Sequence, residues 1–65
     1  MTVAVGQIYE EKRADGKKTM YLVVGETKAR WRVAVLLNPP PGHKVGEVLP
    51  ASTLWFFTSY VTRVA

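Results

Sequence analysis

The 65-residue sequence contains no cysteine, which excludes both a disulfide framework and a thiolate metal site. It also lacks a long hydrophobic run. No uninterrupted apolar stretch is longer than that at residues 33–37, which is far short of the roughly 20 residues that a membrane-spanning helix needs. The first residues include no basic segment followed by an apolar stretch, so they do not resemble a signal peptide. These absences predict a single cytoplasmic domain, residues 1–65, with no membrane attachment.

Candidates for catalysis and metal binding are also few. The only histidine, His43, lies between a glycine and Lys44 in a proline-rich segment, where we expect a solvated loop residue. The five acidic residues fall mainly near predicted turns, beside lysines and arginines. A catalytic base next to a nucleophile, or a convergent set of metal ligands, is not evident. We therefore expect no enzyme activity, no cofactor and no metal.

The net charge of +4 is unevenly distributed along the chain. Residues 1–32 hold seven basic and four acidic residues, whereas residues 33–65 hold two basic and one acidic residue. A basic balance favours a polyanionic partner such as nucleic acid. It equally serves solubility in a small domain, so charge alone does not decide between these two interpretations.

The pattern of apolar residues predicts an all-β fold. β-branched and aromatic residues dominate each apolar stretch, and turn residues separate the stretches at short intervals. Asp15 and Gly16 predict a tight hairpin turn. Ser52 is a candidate N-cap for one helical turn over Thr53–Phe57. Five strands are predicted, at residues 3–11, 19–24, 29–37, 44–49 and 59–64.

Alternation along the strands predicts which side chains form the core. In the third strand Trp31, Val33, Val35 and Leu37 share one face, and Arg30 and Arg32 lie on the other. In the helical turn, Leu54 and Phe57 have i, i+3 spacing and are expected to point inward. The predicted core is Val5, Ile8, Leu22, Val24, Trp31, Val33, Val35, Leu54, Phe57 and Val61.

The order of these elements resembles that of the SH3-like small β-barrels. Two segments carry the resemblance locally: VGQIY at residues 5–9, and STLWFFTSY at residues 52–60. The resemblance implies a five-stranded SH3-like barrel with one 3₁₀ turn before the last strand. The aromatic ligand-groove pattern of eukaryotic signalling SH3 domains is not evident, so proline-peptide recognition is not carried over. Small bacterial and phage proteins of this kind are often nucleic-acid binders or partner-docking modules, although fold alone does not establish function.

The leading functional hypothesis is a largely sequence-nonspecific nucleic-acid-binding module, for either DNA or RNA. Four cations surround the predicted first hairpin turn, and Arg30 and Arg32 project from a strand that we expect nearby. Lysines and arginines spaced in this way can neutralise phosphates. A solvated, charged hairpin tip that discourages aggregation explains the same residues. The predicted phosphate ligands are Lys12, Arg13, Lys17, Lys18, Arg30 and Arg32.

The second hypothesis is a protein-docking module, such as a phage or mobile-element regulator that occupies a host protein. If Leu54 and Phe57 point inward, Trp55 or Phe56 stays partly exposed and can anchor a partner. Alternatively, the extra ring fills an open end of the barrel. His43 and Lys44 are peripheral candidates in the proline-rich loop. Self-assembly through the apolar half of the chain is compatible with either hypothesis.

Overall fold

A computed structural model describes residues 2–65, so Met1 of the predicted domain lies outside the described residues. These residues form one antiparallel sheet in the order β4-β3-β2-β1-β5. The sheet is not closed, and β4 and β5 form its edges. The prediction of an all-β fold with five strands and one 3₁₀ turn is therefore confirmed. The elements are β1 (Ile8–Lys12), β2 (Lys18–Glu26), β3 (Trp31–Leu37), β4 (Val48–Ala51), the 3₁₀ helix (Thr53–Phe57) and β5 (Val61–Arg63).

The two turns that the sequence marks most strongly form where they were predicted. Between β1 and β2, Gly16 has φ +84°, a backbone conformation that glycine adopts without a steric penalty. The Asp15 carboxylate accepts a hydrogen bond from the Lys17 amide at 2.9 Å. At the start of the 3₁₀ helix the Ser52 hydroxyl accepts from the Trp55 amide at 3.3 Å. The predicted N-cap and the predicted helix bounds are both confirmed.

In the first two strands the core prediction is wrong: the buried side chains are those that alternate with the predicted ones. Tyr9, Tyr21 and Val23 are buried, whereas Ile8 and Leu22 lie outside the buried core. A shift of one residue in a strand moves every side chain to the other face of the sheet. The rings bury more apolar area than the aliphatic side chains. Their phenol groups also find acceptors, since Tyr9 donates to Gln7 at 2.9 Å and Tyr21 to Glu11 at 3.2 Å.

Four further core predictions are wrong because local spacing did not fix which side faces inward. Leu54 and Phe57 do share one side of the 3₁₀ helix, as three residues per turn requires. That side faces solvent, with Leu54 79% and Phe57 54% exposed. Val5 is 61% exposed, in the segment before β1. Val24, which precedes Gly25 at a register shift between β2 and β3, is also exposed.

The third strand follows its predicted alternation for most of its length. Val33 and Val35 are buried as predicted, and Trp31 packs against the core while half-buried. Leu37 departs from the pattern, because a register shift between β2 and β3 pairs it with Met20 and leaves it 50% exposed. Val61 of β5 is buried as predicted.

Phe56 occupies the centre of the core, although its neighbours in the helix were predicted there. Its ring lies edge-to-face on Tyr9, with centroids 4.8 Å apart, on Trp55 at 4.9 Å and on Trp31 at 6.2 Å. Edge-to-face pairs at such distances stabilise a core beyond the area that they bury. The helix therefore covers the inner face of the sheet mainly through this one ring.

Replacing Phe56 with alanine tests this arrangement. Truncation of a buried phenylalanine costs about 3–5 kcal/mol, which is comparable to the whole stability of a domain of this size. We expect F56A to be largely unfolded by circular dichroism at 25 °C. The matched variant F57A removes the same ring from an exposed position and should retain the cooperative thermal transition. Equal destabilisation by the two variants would contradict the observed helix orientation.

Candidate binding surfaces

Three lysines come together at one end of the sheet. Lys12 and Lys18 are directly opposite each other in the β1–β2 pair, and Lys17 precedes Lys18 in the hairpin. All three are exposed. Like charges placed directly opposite each other repel. An anion that binds both relieves this repulsion. We refer to Lys12, Lys17 and Lys18 as the lysine corner.

A single acidic residue pairs with this corner in the part of the chain that the structure describes. Glu10 lies 3.6 Å from the Lys18 ammonium group, whose side chain is 58% exposed. Exposed ion pairs of this kind contribute between about 0 and 1 kcal/mol. The pair therefore leaves Lys18 available to another anion.

Arg13, although predicted with the lysines, is engaged inside the protein. Its guanidinium donates to the Pro39 carbonyl at 3.1 Å and to the Asp15 carboxylate at 3.0 Å. Only 14% of its side chain is exposed, and its Nε is buried without a hydrogen-bond partner among residues 2–65. Arg13 thus joins the hairpin tip to the proline-rich loop. A phosphate that recruited this group would have to break both contacts.

Arg30 and Arg32 do not join the lysine corner. Arg32 is paired with Gly25 on β2, whereas Lys12 is paired with Lys18 on the same strand. Seven residues along a strand correspond to about 23 Å, so the arginines lie near the opposite end of the sheet. Both are exposed. The sequence could not reveal this separation, because it depends on the direction and register of β2 and β3.

A groove of about 310 Å³ lies where the 3₁₀ helix meets the sheet. Trp55 lines it and is half-buried, although the reason given for a partly exposed Trp55 or Phe56, that Leu54 and Phe57 point inward, is wrong. Phe56 is only 3% exposed, so it cannot form part of an aromatic interaction patch. Other residues that line the groove are Tyr21, Arg30, Leu49, Pro50 and Glu11.

The carboxylate of Glu11 is held in this groove by two neutral donors. The Trp55 indole donates to one oxygen at 3.1 Å, and the Tyr21 hydroxyl donates to the other at 3.2 Å. The Tyr21 and Trp55 rings meet edge-to-face at 5.2 Å. From the sequence, Glu11 is one of the five acidic residues that fall mainly near predicted turns, beside lysines and arginines. Its inward position follows from the burial of Tyr9, two residues earlier on the same face.

Tyr21 remains protonated far above neutral pH. Burial, the charge of Glu11 and the hydrogen bond to Glu11 together raise the pKa of its phenol to about 12, against the opposing effects of the Arg13 charge and a hydrogen bond with Thr19. The phenol therefore stays a hydrogen-bond donor to Glu11 under physiological conditions. The groove presents the Glu11 carboxylate together with Arg30, so its surface carries charges of both signs, unlike the lysine corner.

His43 and Lys44, the peripheral candidates, lie in a loop whose polar groups bind one another. The His43 ring nitrogen Nδ1 lies 2.8 Å from the Glu47 carboxylate. The Lys44 amide donates to the other oxygen of the same carboxylate at 3.1 Å. Both hydrogen bonds lower the pKa of the Glu47 carboxyl group, and the bond to His43 has the larger effect. The geometry is that of an exposed, self-contained loop.

Two further kinds of site are absent from the described residues, 2–65. Within that range, no group of three or more acidic or histidine side chains is arranged to hold a metal ion. Nor does any helix there have the length and apolar character to cross a membrane.

Comparisons with known proteins do not identify a relative. No protein-family model, curated protein or solved structure matches this chain.

The raised pKa of Tyr21 predicts a specific loss of stability at high pH. The phenol ionises near its ordinary value of 10 in the unfolded chain, but only at about 12 in the folded protein. Its contribution to stability is therefore complete below about pH 10 and is lost as the pH rises towards 12. We expect Y21F to show a shallower decrease in unfolding free energy over this interval, measured by urea denaturation. The matched variant Y60F, which removes an exposed phenol, should retain the wild-type decrease; an identical pH dependence for Y21F and wild type would contradict the assignment.

Proposed function

We propose that the chain is a small non-catalytic module that binds nucleic acid through phosphate contacts at the lysine corner. The observation that carries this proposal is the direct cross-strand position of Lys12 and Lys18 with Lys17 beside them. Three exposed ammonium groups at one end of a sheet form a compact positive surface. Bringing a phosphate between them relieves their mutual repulsion and releases condensed counterions from the nucleic acid.

The corner is made of lysines and not arginines, which supports weak discrimination between nucleic-acid sequences. Lysine presents a point charge on a flexible stem, unlike arginine, whose planar fork recognises phosphates and bases bidentately. The corner itself consists of strand ends and a turn, and it includes no helix or long ribbon of the kind that reads base edges in a groove. Arg13 is engaged elsewhere, and Arg30 and Arg32 lie about 23 Å away along the sheet. The proposed phosphate ligands are accordingly narrowed to the three lysines.

We further propose that the open sheet coils into an SH3-like arrangement. The strand order β4-β3-β2-β1-β5, with a 3₁₀ helix directly before β5, supports this proposal. Phe56 also draws the helix onto the inner face, as expected for a small β-barrel that is filled by side chains.

A second candidate function is docking to a protein through the groove beside Trp55. The observation that favours it is that the indole is partly exposed next to Leu49 and Pro50, which gives an apolar wall for an anchoring side chain. The carboxylate of Glu11 lies in the same groove. A phosphate at the lysine corner and a protein side chain in the groove would therefore bind at different places on the molecule.

The nucleic-acid proposal predicts binding that weakens steeply with salt. Three phosphate contacts to a single strand give a slope of about −2 in log K against log salt. Affinity should then fall on the order of tenfold or more between roughly 50 and 200 mM salt. Fluorescence anisotropy of labelled single-stranded DNA, duplex DNA and RNA measures this dependence directly.

Charge-removing variants assign the contacts. K17Q should weaken binding to all sequences alike and reduce the magnitude of the salt slope by about 0.7 on a single strand. K28Q is the matched control, since Lys28 is an exposed lysine in the connection between β2 and β3, at the other end of the sheet. Equal effects of the two variants would indicate attraction to net charge only. Absence of binding at low salt would refute the proposal and favour protein docking through the groove.

A further inference from the structure

The face of the sheet opposite the 3₁₀ helix carries a continuous apolar strip. Ile8, Leu22, Ala34 and Val48 are directly paired across β1, β2, β3 and β4. Residues paired in this way project from the same face of an antiparallel sheet. Because Tyr9, Tyr21 and Val33 occupy the inner face, this row lies on the outer face. We refer to it, together with its apolar neighbours, as the outer strip: Ile8, Met20, Leu22, Val24, Ala34, Leu36, Leu37 and Val48.

Much of the outer strip is open to solvent. Leu37 is 50%, Val48 48%, Val24 40% and Leu36 37% exposed. The 3₁₀ helix packs on the inner face, and among residues 2–65 no other helix is present to cover the outer one. Scattered exposed aliphatic residues are ordinary, but a contiguous apolar patch on a small protein indicates an interaction surface.

The charges that border the outer strip have mostly one sign. Lys12 and Lys18 lie at one end of this face, and Arg32 lies at the other. The strands place a single acidic residue on the same face, Glu10, which is paired with Lys18. In the described part of the chain, neither Lys12 nor Arg32 takes part in an ion pair. The strip is therefore apolar in the middle and positive at both ends.

This distribution of charge selects among the possible partners. A second copy of the chain, stacked face to face in either direction, would bring Lys12 and Lys18 against the same residues or against Arg32. Both arrangements oppose like charges, which is unfavourable. The strip is also aliphatic rather than aromatic, so it offers no stacking platform for nucleic-acid bases. A partner with an apolar stripe and acidic ends satisfies both features.

We propose that the outer strip docks an acidic amphipathic helix of another protein. A sheet face buries its apolar side chains efficiently against the apolar stripe of a helix. The edges of this sheet are less suited to an added strand, because β4 includes Pro50 and β5 has only three residues. The distance of about 23 Å between the positive ends corresponds to roughly 15 helical residues. Carboxylates near both ends of such a helix would meet Lys12 and Lys18 at one end and Arg32 at the other.

This inference is independent of the nucleic-acid proposal, although the two surfaces share Lys12 and Lys18. Lys17 belongs to the hairpin turn and lies outside the outer strip. Val48 and Leu37 belong to the strip and carry no charge. Variants at these positions therefore separate the two activities.

The test uses the full chain and a synthetic peptide of about 15 residues, with a leucine stripe at helical spacing and glutamates near both ends. A peptide of the same composition in scrambled order is the first control. Binding is measured by isothermal titration calorimetry. We expect the amphipathic peptide to bind, the scrambled peptide not to bind, and V48Q or L37Q to weaken binding about tenfold through the loss of one buried aliphatic contact. L54Q is the matched variant, because Leu54 is an exposed leucine on the 3₁₀ helix, and it should bind as the wild type does.

Further results of these binding experiments separate this inference from the nucleic-acid proposal. K17Q should bind the peptide normally even where it loses affinity for an oligonucleotide, which distinguishes failure of one proposal from failure of the other. The inference is overturned if neither peptide binds at millimolar concentration, if both peptides bind equally, or if L54Q weakens binding as much as V48Q. Preferential binding to vesicles of phosphatidylserine and phosphatidylcholine, with no binding of the amphipathic peptide, would overturn it in favour of an anionic lipid surface. Peptide-independent dimerisation through Val48 would overturn it in favour of a second copy.

Discussion

The burial of Phe56 against the sheet is the interaction on which the rest of the molecule depends. The sheet is open, and in residues 2–65 a single 3₁₀ helix covers its inner face. Phe56 lies edge-to-face on Tyr9 and Trp31 and contacts Trp55 in its own helix. Because these rings fill the inner face, the alternate residues of each strand must project outward. The outer apolar strip and the exposed positions of the lysines follow from the inward position of these rings.

Much of the fold could be predicted from local signals, because each has a local physical cause. The Asp15–Gly16 turn and the Ser52 cap depend on backbone geometry and on one hydrogen bond each, so the sequence predicts them well. The inner and outer faces of β1 and β2 could not be predicted, because both sets of alternate residues include large apolar side chains. Ile8 and Tyr9 show the difficulty: alternation requires that they separate, but only the packing of Phe56 decides that Tyr9 lies inside.

The sequence indicated which residue types would form the candidate sites, but not which of those residues would lie together. The sequence identified the lysines of the first hairpin, and strand pairing places Lys12 and Lys18 together. It could not show that Arg13 binds the Pro39 carbonyl, since that contact joins segments 26 residues apart. The groove, the lysine corner and the outer strip differ in chemistry: a half-buried carboxylate, exposed ammonium groups and aliphatic side chains, respectively. The lysine corner and the outer strip share Lys12 and Lys18, so partners at those two surfaces would compete, whereas the groove is lined by other residues.

The proposed function requires that nucleic acid bind at the lysine corner and not in the groove. Heteronuclear NMR of the ¹⁵N-labelled protein, titrated with a short single-stranded oligonucleotide at low salt, tests this claim most directly. We expect the largest chemical-shift changes on the amides of Lys12, Lys17 and Lys18, while the indole N–H of Trp55, hydrogen-bonded to Glu11, is unaffected. Changes centred on the Trp55 indole and the groove, with the lysine amides unmoved, would contradict it.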